Sequence, residues 1–524
     1  MIRDRMIAAL ETNDESLYSA YRRMIREFTG TVAILAKCGR YPLMGVGNLT
    51  THDLFTEHAH SIISPTGLAG VIIPTSIMTG AQTAPFVAAV LDANELGAFY
   101  DFENSKGIFP GVHSSYRFGV LQMTGSNRPA AQVRMAFHLT GAVELSADRI
   151  IGLGSADLAR INSNTKNLPV FASPTDARLT AQIHAQNPVL HELRVSNGNP
   201  WNANLGSAFQ MSHEAHLFSS VDDLVALGAI FDGFAWTDGA RRWLPLHEGK
   251  HVWHYDHRFA TAAGASSDKT RTVTSKEHQV SNYEIETRHY VIEHEVDHKL
   301  DHRTGAGWLM GWRGIASPTN QRTLVVSVFA RSAVGHSMPL IILPTAPSSA
   351  SVLAALCSLV CDYVIRQKQS GPNVMKFHVN QAPVPLPGRF TDPVSWQADE
   401  SLEDWLRPYL LELTYTSNSL IPWARDMAEH GPPYRWDPAR RAHLQSELDA
   451  AMFHVYGLDR PDTEHVLSTF RALRDAENRA YGEYRTERLV LDAHDRMAAA
   501  IASGGTGWVS LLDVPAGKGS RHPG

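Results

Sequence analysis

RYPLMGVGNLTTHDLFTEHAHSIISPTGLAGVIIPTSIMTG at residues 40–80 and LGAFYDFENSKGIFPGVHSSYRFGVLQMTG at 96–125 decide the fold. They alternate a helical stretch Asp53–Ile63, a Pro-Thr-Gly turn, an apolar strand at 70–74, a helical stretch Ala81–Leu91, a strand Gly97–Phe102, a loop, and a strand Arg117–Thr124. Short apolar strands alternating with helical periodicity predict a piece of an α/β sheet. Upstream, Met6, Leu10, Leu17, Tyr21, Met24 and Phe28 recur at three- and four-residue steps, which predicts helix over residues 1–37. Downstream, short strands and turn signals such as SNGNP, TDG and SPTN predict a mixed α+β region over 146–385. The Pro-rich run QAPVPLPGRFTDP at 381–393 reads as a linker, and 396–409, 438–456 and 463–484 read as helices. The Gly-rich end is expected to fray. The division is thus 1–40 helical, 41–145 α/β, 146–385 mixed, and 386–524 helical.

Composition sets the outer limits. The 524 residues carry 47 basic and 53 acidic side chains, a net charge of −6, with 44% apolar and 19% charged residues. These totals exclude a disordered chain and a uniformly basic coat of the kind that binds nucleic acid without selectivity. A DNA site would have to be a local patch. No run of 18 apolar residues occurs and the N-terminus is too charged for a signal peptide, so the expected location is cytoplasmic and away from membranes. Cys38, Cys357 and Cys361 are too few for a disulfide framework, and the last two read as core residues.

Three short patterns imitate catalytic motifs. His294-Glu295-Val296-Asp297-His298 is a literal H-E-x-x-H, but with 26 histidines in the chain a chance match is easy, and its surroundings are polar. It reads as a solvated, charged segment rather than a zinc helix. Asn199-Pro200-Trp201 lacks the second proline of an amino-methyltransferase tetrapeptide, and Gly431-Pro432-Pro433-Tyr434 lacks a side-chain acceptor for the target amine. Both read as turns. His247, His251, His254 and His257 read as surface or hydrogen-bonded histidines rather than metal ligands.

Taken together, residues 41–123 resemble the second half of the catalytic domain in large adenine-specific DNA methyltransferases, those of fused restriction-modification enzymes (type IIG-like) and BREX-like phage-defence systems. The carriers are the GVIIP strand after Pro-Thr-Gly, the DFEN…FPGV loop, and the RFGVL strand. LARINSNTKNLPVFASPTDARLTAQI, NPWNANLGSAFQ, WLMGWRGIASPTNQRTLVVSVFARSAVGHSMPLIIL and RRAHLQSELDAAMFHVYGL extend the similarity over roughly 38–495.

The resemblance implies a partial methyltransferase-like (Rossmann-type) sheet, a mixed target-recognition domain, and a helical C-terminus. Such enzymes bind S-adenosylmethionine with a Gly-rich loop and act through an Asn-Pro-Pro-aromatic loop, and neither motif is present in these 524 residues. The chain is therefore expected to lack catalytic residues of its own, to bind no cofactor or metal alone, and to work with an upstream catalytic half on double-stranded DNA. Alternatives are a non-catalytic DNA-specificity subunit, a truncated remnant and, more distantly, a zinc peptidase. By the resemblance, Phe109, Pro110, Tyr116 and Phe118 would wall the flipped adenine. Asn48, Thr50 and Asp53 would lie near cofactor and base, although the family more often has Asp and Asn at the first two. Asp101, Glu103 and Asn104 would order the loop. The basic residues of the matched recognition segments, Lys250, Arg258, Arg313, Arg322, Arg331, Arg366, Lys368 and Lys376, would contact DNA, arginine reading guanine edges and lysine phosphate.

Overall fold

The computed structural model describes residues 2–264, 269–369 and 371–523. They form two compact units, Met1–Arg178 and Leu179–Gly524.

In the first unit, the predicted N-terminal helix is two: α1 (Ile2–Asn13) and α2 (Glu15–Lys37). The break is at Asp14, whose non-helical backbone and side chain, accepting from Leu17 N at 2.9 Å, cap a new helix and so end the old one. No residue of α2 is buried, and Leu17, Met24, Phe28 and Ile34 are all exposed. After α3 (Thr51–Ser61) comes a five-stranded sheet: β1 (Leu68–Pro74), β2 (Leu96–Glu103), β3 (Arg117–Thr124), β4 (Val133–Leu139) and β5 (Ile151–Leu153), in the order β1-β3-β2-β4-β5. β3 is antiparallel to both β1 and β2, with Ile72 opposite Val120 and Phe102 opposite Phe118, so β1 and β2 run in the same direction. The crossover that such a pair needs is made by α4 (Ser76–Thr79) and α5 (Ala84–Asp92). α5 is apolar on nearly all sides and buries Phe86, Val87, Val90 and Leu91.

The sheet is covered unevenly. Ile73, Phe99, Leu121 and Met135 are buried, whereas Leu68 is 48% and Ile72 62% exposed on the alternate face of β1. Among the described residues β1 pairs only with β3, so its other edge keeps unpaired backbone groups. Gly119 is required at its place in β3 because the Phe99 ring occupies the space of a Cβ.

The second unit is organised around helices Ala346–Cys357 and Leu359–Lys368, almost entirely buried, with Ser358 capping the second through Cys361 N at 3.1 Å. Among the described residues no single helix is long and apolar enough to cross a membrane, and this bent pair is core. Around it pack helices Leu402–Thr414, Pro438–Val455 and Arg485–Ala502 and a four-stranded antiparallel sheet, Val326–Ala330, Trp308–Trp312, Leu340–Ile342 and Asn204–Gly206. A second sheet, centred on Arg242–His247 and His289–Ile292, packs over Glu293–Leu300 through Val291, Val296 and Leu300.

Two local expectations are corrected. The linker reading of 381–393 fails because Ala382, Val384 and Phe390 are core, with Tyr456 and Trp201 donating to the carbonyls of Pro383 and Pro385 at 2.7 and 3.1 Å. Prolines lend themselves to linkers, but here their carbonyls still accept bonds. The C-terminal stretch does not fray: Arg435 N donates to Ser520 O, His522 N to Pro433 O, and Arg440 clamps the carbonyls of Val514 and Pro515.

Candidate nucleic-acid interface

In the first unit the candidate residues gather at the β2–β3 loop. Asp101 is fully buried at the end of β2, accepting from Thr75 Oγ1 at 2.5 Å, His138 N at 3.2 Å, and the Arg117 guanidinium. Asn104, also buried, staples the loop from both ends of its amide: Oδ1 accepts from Phe109 N at 2.8 Å, and Nδ2 donates to Phe109 O at 3.0 Å and Val112 O at 2.8 Å. The loop-ordering reading of Asn104 is thus given geometry. Glu103 meets His138 Nδ1 at 3.0 Å.

The staple holds Phe109 edge-on to Phe118 at 4.8 Å, and Phe118 stacks on Phe102 at 5.5 Å. Phe109 is 37% and Tyr116 64% exposed, and Pro110 is exposed beside them. This leaves an accessible aromatic surface at the loop, preorganised by a buried amide. The other trio is placed differently. Thr50 caps α3, accepting from Asp53 N at 3.4 Å; Asp53 is buried, 3.6 Å from His52; and exposed Asn48 receives Gln82 Nε2 on its carbonyl at 2.8 Å. No hydrogen bond or ring contact joins these three to the aromatic trio among the described residues.

β1 passes into α4 through Thr75 and β5 into α6 (Ser155–Ile161) through Gly154, single-residue turns rather than a glycine-rich loop.

In the second unit the eight basic candidates separate by burial. Arg258 is 0% exposed and donates to the carbonyls of Val280, Tyr283, His278 and Thr416, tying distant loops together. Arg322 and Arg366 share the buried Asp362 carboxylate at 2.8 and 3.3 Å, and Arg366 also lies over Phe470. Lys368 is buried with Nζ 2.7 Å from Gln381 O, and burial pushes its pKa well below the ordinary lysine range. Arg331 is held by Asp297 and Asp301 at 3.0 and 2.6 Å. As DNA contacts Arg258, Arg322, Arg366 and Lys368 are corrected: their charges are used inside the protein, where an unpaired ion is prohibitively costly.

Three candidates remain near the surface, in segments linked through Gly249 and Gly314. Arg313 sits over the Trp253 ring at 6.0 Å with no carboxylate partner among the described residues. Val374 N donates to Gly314 O at 2.9 Å, two residues before exposed Lys376, which opens the helix Lys376–Asn380. Gly249, preceding Lys250, packs against Arg313, and Lys250 pairs with Glu248 at 3.2 Å. Exposed Ile315 and Met375 lie in the same two segments. In the WHYDHRF run at 253–259 the sequence singles out His254, His257 and Arg258 but not Trp253.

The short catalytic look-alikes have structural places. Asn199 closes a turn through both amide atoms on Ala203, at 2.8 and 3.0 Å, and Tyr434 is buried with its hydroxyl on Gly517 O at 3.0 Å. His294 is solvent-exposed on helix Glu293–Leu300, beside Glu295 at 3.4 Å.

No protein-family profile and no curated protein matches the sequence. Solved structures do. The type IIL restriction-modification enzyme MmeI, determined in complex with DNA, is similar at 10% identity and a TM-score of 0.37, over 83% of this chain and 55% of MmeI. The type IIG restriction endonuclease BpuSI is similar at 11% identity and a TM-score of 0.27, over 81% of this chain and 51% of BpuSI. The chain spans about half the length of each.

Proposed function

We propose that the chain is the target-recognition and sheet-completing part of a restriction-modification DNA methyltransferase acting on adenine N6, with the methyl donor and the Asn-Pro-Pro-aromatic loop supplied by another polypeptide segment. The observation that carries this reading is the form of the first unit's sheet. β1 offers an unpaired edge and an uncovered apolar face, at Leu68 and Ile72, and the stapled aromatic loop leads from β2 into β3, the strand paired with β1. A backbone edge of this kind is completed by another strand. Residues 41–123, which hold β1, β2 and all but the last residue of β3, are also those whose motifs resemble the methyltransferases.

Within that arrangement, the residues of this chain bind and orient. Phe109 and Tyr116 would flank an unstacked base, Asn104 would fix the loop that carries them, and Arg313, Lys376 and Lys250 would meet the duplex backbone. The test is co-expression with the polypeptide encoded immediately upstream. Co-purification that is lost in Ile72→Lys, together with salt-sensitive binding of duplex DNA, supports the reading; independent behaviour of the two polypeptides with no DNA binding contradicts it.

A further inference from the structure

Trp253, His254, Ala442, Gln445 and Arg485 in the second unit line two cavities at once. The outer one, about 330 Å³, has aromatic walls. Trp253 stacks on Phe259 at 5.2 Å, and Trp436 is clamped between the His278 ring at 3.9 Å and the Arg441 guanidinium at 3.7 Å. The inner one, about 120 Å³, reaches Arg322, Cys357 and Asp449.

The inner lining is polar and unsatisfied. His254 is 5% exposed, yet neither of its ring nitrogens has a hydrogen-bond partner among the described residues, and Arg485 Nε is buried without one. Buried polar groups are nearly always bonded, so a buried imidazole with two open positions beside a cavity is a place for something to bind. Burial, reinforced by the charges of Arg322 and Arg366, holds the His254 pKa well below the usual histidine range. At neutral pH the ring is therefore uncharged and offers one donor and one acceptor. The partly buried Trp253 ring with a neutral donor–acceptor pair beside it suits a flat ring that stacks by one face and bonds by its edge. Neither a simple anion nor an aliphatic chain uses both features.

We propose that this cleft binds a nucleobase, its face against Trp253 and its edge toward His254, either as a free nucleoside or as an unstacked base of single-stranded DNA. The proposal does not depend on methyl transfer and involves none of the residues of the β2–β3 loop.

The experiment is titration of the full chain against 2-aminopurine riboside and pyrrolocytidine, and in parallel against single-stranded oligonucleotides carrying one such base, read by quenching of probe fluorescence. Saturable quenching is expected, weakened ~tenfold or more in both Trp253→Ala and His254→Ala, as loss of a stacking or buried hydrogen-bonding partner implies. Binding of the nucleosides identifies a small-molecule site; binding of the oligonucleotides alone identifies a strand base. Trp253 is only partly buried, so its variant decides the matter if His254→Ala fails to fold, as checked by thermal unfolding. No saturation at millimolar probe, or quenching unchanged in Trp253→Ala, overturns the proposal and leaves the cavities to water.

Discussion

Arg258 and Lys376 look interchangeable in the sequence, since both are cations in segments that resemble a DNA-recognition region. Their surroundings separate them. Arg258 gives its guanidinium protons to four backbone carbonyls, one of them on Thr416, 158 positions away, whereas Lys376 stands in solvent. Truncating a buried cation bonded through both terminal nitrogens strands its acceptors, so Arg258→Ala should lower unfolding free energy by about 3–5 kcal/mol, measured by denaturant titration. Lys376→Ala should change stability by less than about 0.5 kcal/mol and reduce the slope of log binding constant against log salt by about 1 on duplex DNA. An unchanged slope removes Lys376 from the interface. Burial of a charged side chain is decided by partners distant in the chain, as with Asp362 for Arg322, and residue type alone does not disclose it.

Among the elements, strand Arg117–Thr124 has the bounds read from its apolar run, and the strands before it agree to within a residue or two, because their periodicity is local. What pairs with what is not local. The reversal of β3 between β1 and β2, and hence the free edge of β1, emerges only from the assembled sheet. Ile72→Lys places a charge on the exposed face of that edge strand, so stability should move by less than about 0.5 kcal/mol while association with the polypeptide encoded upstream, followed by sedimentation velocity, declines. Asn104 is the opposite case, a loop residue whose three bonds carry the loop. Asn104→Ala should cost about 1–3 kcal/mol and speed amide hydrogen exchange over residues 105–116, and exchange at the wild-type rate would show that the loop is held by other means.

At the level of the whole molecule, the helical C-terminus was legible from periodicity, but the continuity of the core was not. Leu179 and Ala500 belong to one hydrophobic cluster, and the Pro-rich run 381–393 passes through it. That interior also holds neutral histidines. Burial lowers His247 and His378 from 6.5 to about 4. Between those values the unfolded chain takes up protons that the folded chain refuses, so this stability is complete above about pH 6.5 and is lost as pH falls toward 4, about 3 kcal/mol for each group. Asp449, raised by burial from 3.8 to about 6, acts with opposite sign, its contribution being present at low pH and lost as pH rises through about 6. The two histidines outweigh it, so the thermal midpoint should fall below pH 6.5, and His247→Leu should shallow that fall; an identical pH profile in the variant would contradict the assignment. The central claim, that this chain recognises DNA and completes a methyltransferase sheet whose donor site lies in another segment, is tested most directly by methyl transfer from labelled S-adenosylmethionine to duplex DNA. Label should appear in DNA only when the chain is combined with the polypeptide encoded upstream, and transfer by this chain alone would contradict the account.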